Sequence, residues 1–109
     1  MHRFLQWREV LQLAPNVKAV KAIMRDYVDS LRPLVGTLPS ECQKALLGEE
    51  LDVQAVAVML LHEDLRYQGS EEMRGLLHEI AYTFASAAVR MTLLHAKPVV
   101  PSPIEQGRA

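Results

Sequence analysis

LDVQAVAVMLLHEDLRYQGSEEMRGLLHEIAYTFASAAVRMTLLHAK, residues 51–97, is the stretch whose reading decides the fold, because it holds the longest unbroken helical pattern in the chain. From Met73 the apolar residues recur at Leu77, Ile80, Phe84, Ala87, Met91 and Leu94, alternating steps of four and three that keep to one helix face. Glu72, Glu79, Thr83, Ser86, Arg90 and Lys97 fall opposite, a side the pattern assigns to water. Beside the seam, Ala81, Ala85, Ala88 and Thr92 form a ribbon of small residues. Such a ribbon lets a neighbouring helix approach toward the close end of the usual separation of about 8–10 Å.

The first half of the stretch, Leu51 to Tyr67, is apolar nearly all round a helical wheel. Val53, Val56, Leu60 and Tyr67 share one side, and Val58, Leu61 and Leu65 share another. A helix with two apolar sides needs neighbours on both, so it is either the central helix of a bundle or part of an oligomer interface. Its β-branched residues would also suit a buried strand. Helix is favoured because the run continues through His62-Glu63-Asp64-Leu65-Arg66-Tyr67 without a turn signal and is rich in Ala, Met, Leu and Gln. Asp52 is the expected N-cap, and Gly69 suits a left-handed residue after the helix. Ser70, with Glu71 and Glu72 in the next first turn, restarts the chain. The short connection predicts an antiparallel hairpin of helices at about 51–67 and 70–97.

Upstream, Phe4, Trp7, Val10/Leu11 and Ala14 form the stripe of a short first helix that Pro15 ends. Val17, Val20, Met24, Tyr27, Leu31 and Leu34 mark a second helix, which Pro33 is expected to stop near Leu31. Leu34 to Pro39 reads as a loop. Ser40 with Gln43 fits a capping box that opens a two-turn helix through Leu47, closed by Gly48. The fold class is therefore all-α, a four-helix-type bundle with one additional short helix. Residues 1–97 form one helical domain, and 98–109, which open on Pro98-Val-Val-Pro101-Ser-Pro103, a Pro-rich flexible tail.

A chain of 109 residues buries roughly two thirds of its unfolded surface in one core. It has no apolar run near the roughly 18 residues of a membrane span, and charge interrupts its N-terminus too early for a signal peptide. A lone Cys42 forms no intrachain disulfide, so a reducing cytoplasm is expected. The net charge of −1 is unevenly spread: residues 1–35 carry six Lys/Arg against three acids, and residues 41–79 carry three against nine. Either the basic N-terminal helices lie on the acidic hairpin, or the acidic surface meets a basic partner.

Local signatures of chemistry are absent. His62-Glu63 and His78-Glu79 repeat a dipeptide, but neither Glu-x-x-His nor His-x-x-x-His occurs, and one cysteine makes no structural zinc site. Cys42 has no histidine nearby in sequence, and there is no Gly-x-Ser-x-Gly or glycine-rich phosphate loop. A helix-turn-helix would pair residues 40–47 with 52–67, yet the second helix offers core residues where base-reading side chains are needed. No catalytic, cofactor-binding or metal-binding residue is assigned.

The expectation is a small non-enzymatic protein-interaction module, an adaptor, small chaperone or regulatory subunit. Its partner is a second copy (a homodimer) and/or another protein, not a membrane, with nucleic acid the less favoured partner. The candidate interface is Val53, Val56, Leu60, Tyr67, Ala81, Ala85, Ala88 and Thr92. Two other readings compete. One is a ligand- or metal-binding bundle with His62, His78 or His95 at the rim of a pocket between hairpin and N-terminal helices. The other is nucleic-acid binding through Arg3, Arg8, Lys18, Lys21 and Arg25.

Overall fold

The computed structural model describes the backbone of residues 3–96 and the side chains of residues 7–96, so the expected tail at 98–109 and the side chains of Arg3 and Phe4 lie outside it. Five helices follow one another: α1 (Arg3–Leu13), α2 (Val17–Val35), α3 (Ser40–Leu47), α4 (Val53–Arg66) and α5 (Glu71–Ala96). No strand occurs among the described residues, so the fold is all-α.

Capping fixes most of the boundaries. Asn16 accepts a hydrogen bond from the Ala19 amide at 2.8 Å and starts α2 one residue after Pro15. Asp52 accepts from the Ala55 amide at 3.2 Å to start α4, and Ser70 Oγ accepts from the Met73 amide at 3.1 Å to start α5. Pro33 does not stop α2, which runs on to Val35. In the last turn a proline removes one backbone bond on a solvent-facing side, and burial of Val35 holds the turn in place. Ser40 lies inside α3 rather than capping it; Pro39 takes the cap position without a side-chain bond. Gln43 instead reaches back and donates from Nε2 to the carbonyls of Leu38 (2.8 Å) and Gly36 (3.3 Å).

Gly69 does not adopt the left-handed conformation; no described residue has positive φ. The ring of Tyr67 lies over this glycine, and a Cβ there would make that ring turn aside. Arg74 completes the turn, donating to the Tyr67 carbonyl at 2.7 Å and the Asp64 carbonyl at 3.4 Å. Free carbonyls at the end of α4 are thereby satisfied by a cation, which the helix dipole also favours.

The hairpin of α4 and α5 is the most extensive helix pair, with α1 and α2 packed on α5 and α3 wedged against α4 and α2. Contacts from α4 bracket the small-residue side of α5: Asp64 meets His78 at one end and Gln54 meets Thr92 at the other. Ala81, fully buried, and Ala88, partly buried, fall between these two contacts. The seam of α5 is buried from Leu77 to Met91 and meets Val20, Met24 and Tyr27 of α2 in one continuous core. Tyr27 stands at its centre, with its ring centroid 5.4 Å from that of Trp7 and 6.2 Å from that of Phe84.

The side of α5 that the sequence assigns to water is instead the seat of α1. Arg8 pairs with Glu79 at 3.1 Å, Arg90 donates to the Ala14 carbonyl at 2.7 Å, and Thr83 is fully buried. Polar residues read as solvated are here spent on another helix. Arg8–Glu79 is also the one ion pair among the described residues that joins the basic N-terminal region to the hairpin.

Two measurements probe this packing. Ala81→Leu forces extra volume into a closed contact and is expected to destabilise by about 1–3 kcal/mol in thermal or urea unfolding. An unchanged midpoint would mean that α4 does not sit on Ala81. Burial pushes the Tyr27 phenol up from 10.0 to about 12, with Thr83 and Arg8 opposing and Glu79 reinforcing the shift. The folded state holds this proton more tightly, so the contribution is complete below about pH 10 and lost as pH rises through about 12. Alkaline titration followed at 295 nm and by circular dichroism should show ionisation of Tyr27 coinciding with loss of helix.

Candidate functional site

The eight residues first expected at an interface separate into two groups. Val53, Val56, Leu60 and Ala81 are buried in the chain's own core and present no surface to a partner. Tyr67, Ala85 and Ala88 are half-buried, and Thr92 is exposed, accepting from Gln54 Nε2 at 3.4 Å while donating to the Ala88 carbonyl at 3.0 Å. The apolar side chains that the fold leaves in water are different ones, and four of the largest sit together on the hairpin.

On α4, Val58 is 69% exposed and Leu65 82%; on α5, Tyr82 is 47% and Val89 58% exposed. Gln54, Val58, Leu61 and Leu65 step by four, three and four, so they share one side of α4, and His78, Tyr82, Ala85, Val89 and Thr92 share one side of α5 in the same way. The Gln54–Thr92 and Asp64–His78 contacts tie these two sides edge to edge. Because the helices are antiparallel, Val58 and Leu61 then lie within about a turn of Val89, Ala85 and Tyr82, and Leu65 lies beside His78. The result is one two-helix face, apolar in the middle and polar at both ends, turned away from α2.

A charged group is built into one end of it. Asp64 continues the buried stripe of Val53, Ala57 and Leu60, and only 6% of its surface is exposed. Its Oδ2 is 2.9 Å from His78 Nδ1, and its Oδ1 has no hydrogen-bond partner among the described residues. The His78 ring, its side chain 52% exposed, lies on the ring of Tyr82 with centroids 4.3 Å apart. Asp64 carried a signal that residue-type reading passed over: a carboxylate at a core position of an apolar stripe requires a partner.

The other candidates are dispersed. A cleft of about 560 Å³ opens between α2 and the hairpin. His95 lines it; His62 and His78 do not. Lys21 and Arg25 face Glu50 and Asp52 across it, so the lining balances two cations with two carboxylates. Arg8 is engaged by Glu79, and Lys18, Lys21 and Arg25 share one face of α2, where the last two line the cleft opposite carboxylates. No group of three His, Cys, Asp or Glu side chains able to hold a metal ion occurs among the described residues, and no described helix is long and apolar enough to cross a membrane. Compared with known proteins, the chain matches no family model, no curated protein and no solved structure.

Cys42 is fully buried, and burial, reinforced by Glu63 and Glu41, pushes its thiol up to about 11. Thiolate is the reactive form, so alkylation or disulfide exchange at about pH 8 should be slow in the native protein and become fast in denaturant. Rapid stoichiometric labelling of the folded chain, followed by mass spectrometry, would contradict the burial.

Proposed function

We propose that this chain is a small, non-enzymatic helical interaction module that pairs with a second copy of itself through the outer face of the α4–α5 hairpin, and serves as an adaptor or regulatory subunit. The observation that carries it is the patch formed by Val58, Leu61 and Leu65 of α4 with Tyr82, Ala85 and Val89 of the antiparallel α5 beside it. Exposed apolar residues are ordinary when scattered. Gathered on one face of adjacent helices, they resemble a core cut in half.

Three features favour a second copy as the occupant. The patch is centred along the hairpin, so a twofold axis through its middle lays it on itself, as an isologous interface requires. The same rotation sets the polar end with Gln54 and Thr92 against the polar end with His78, so hydrogen-bonding groups meet hydrogen-bonding groups. Ala85, small and near the middle of α5, lets the two α5 helices approach closely where that rotation brings them together. The face is about two helix diameters wide and about 20 Å long, which puts the contact at the small end of specific interfaces, near about 1,200 Å² in total. A free, buried cysteine suits a reducing cytoplasm, which is part of the proposal.

Sedimentation equilibrium across a concentration series tests it. The wild-type chain is expected to pass from monomer to dimer, and Val58→Glu or Leu65→Glu, both at exposed positions, to remain monomeric with unchanged helix content. A strict monomer at millimolar concentration would overturn self-pairing and reassign the face to a helix of a different protein.

A further inference from the structure

Asp64 and Thr83 are the two polar side chains buried among the described residues, and Asp64 alone of them carries charge. Thr83 is satisfied by the Glu79 carbonyl at 2.9 Å. Asp64 is half satisfied: His78 serves one carboxylate oxygen, and the other is sealed from water without a partner. A buried carboxylate so placed depends on the charge state of its one neighbour.

The neighbourhood of His78 contains few other charges. From α4 it faces Asp64. On α5 itself, Tyr82 stacks against it, Arg74 is committed to the Asp64 and Tyr67 carbonyls, and Glu79 is turned to Arg8 of α1. His62 lies on the opposite side of α4 from Asp64 by helical position. No other ion pair reaches Asp64 or His78 among the described residues.

We infer that the Asp64–His78 pair couples pairing of two copies to proton uptake, so that the dimer tightens as pH falls. The inference rests on the self-pairing reading above and adds its regulation. In the free chain water reaches half of the His78 ring and helps to screen the carboxylate behind it. When a second copy covers this end of the face, that water leaves. A neutral His78 then encloses a negative charge that only Arg74, held on the Asp64 and Tyr67 carbonyls, offsets from a distance, whereas an imidazolium donates Nδ1–H to Asp64 and leaves a neutral pair, with Nε2–H directed at the partner's polar end. The dimer therefore binds protons more tightly than two free chains, one at each His78. By linkage, association strengthens as pH falls through the range in which histidine titrates.

The experiment is sedimentation equilibrium of the full chain at about pH 5.5 and about pH 8, which bracket histidine titration. The wild type is expected to dimerise at least about tenfold more tightly at the lower pH. His78→Gln, which keeps a hydrogen-bond donor but not the titration, and Asp64→Asn, which removes the buried charge, should each flatten the dependence, with folding checked by circular dichroism. His62→Gln and His95→Gln should retain it. A wild-type dimer equally tight at both pH values overturns the proton coupling and leaves self-pairing standing. A monomer at both values overturns self-pairing and the coupling with it. Retention of the full pH dependence in His78→Gln assigns it to another group and overturns the inference.

Discussion

The close seating of α4 on the small-residue side of α5 is the contact from which the rest of the molecule follows. Ala81 is fully covered there, and the interface is pinned at its two ends by Asp64–His78 and Gln54–Thr92. This seating turns Val53, Val56, Ala57 and Leu60 toward the seam of α5 and leaves the second apolar side of α4 pointing outward. Two helices locked in this register supply a core on one side and a flat apolar face on the other. The N-terminal helices then have only one side left to cover, and they cover it.

That division explains why the molecule keeps unburied hydrophobic surface although its core is well filled. α2 packs with α5 through Val20, Met24 and Tyr27, and α1 seats itself through Arg8, Leu11, Ala14 and the Arg90 contact. Neither reaches the far side of the hairpin. α3, at eight residues, is too short to cross it and packs at the flank of α4. Val58 and Leu65 thus remain in water because no element of the described fold is placed to shelter them.

Much of the architecture was legible from residue spacing. The α5 seam, the capping roles of Asp52 and Ser70, and the two apolar sides of α4 all follow from local periodicity and hydrogen-bonding chemistry, which act within a few residues. The misreadings share a different origin, since each needed knowledge of a partner distant in sequence. Val53, Val56 and Leu60 were grouped with the interface because a wheel displays two apolar sides without saying which one the chain itself will cover. Glu79 and Arg90 were assigned to water because their partners, Arg8 and Ala14, lie more than seventy residues upstream, and Thr83, bonded within α5 to the Glu79 carbonyl, is buried between them. Pro33 obeys the steric rule but not its usual outcome, because burial of Val35 outweighs one lost backbone bond. Gly69 was expected in a left-handed conformation that it does not adopt; the ring of Tyr67 lies over it instead.

The way α1 is attached has a bearing on how the molecule breathes. α2, α4 and α5 are joined by interlocked aliphatic and aromatic side chains, whereas the described side chains of α1 combine Trp7 and Leu11 with a partly exposed guanidinium–carboxylate pair, and a guanidinium–carbonyl bond holds Ala14 just past its end. Such moorings yield to salt and to fluctuation more readily than buried apolar surface does. Amide protons of α1 should therefore exchange with solvent through a small, local opening, ahead of those in the α4–α5 hairpin, whose release demands that the whole structure come apart. Detachment of that first helix uncovers Trp7 and Tyr27, so the chain's single tryptophan is an intrinsic reporter of the earliest unfolding step.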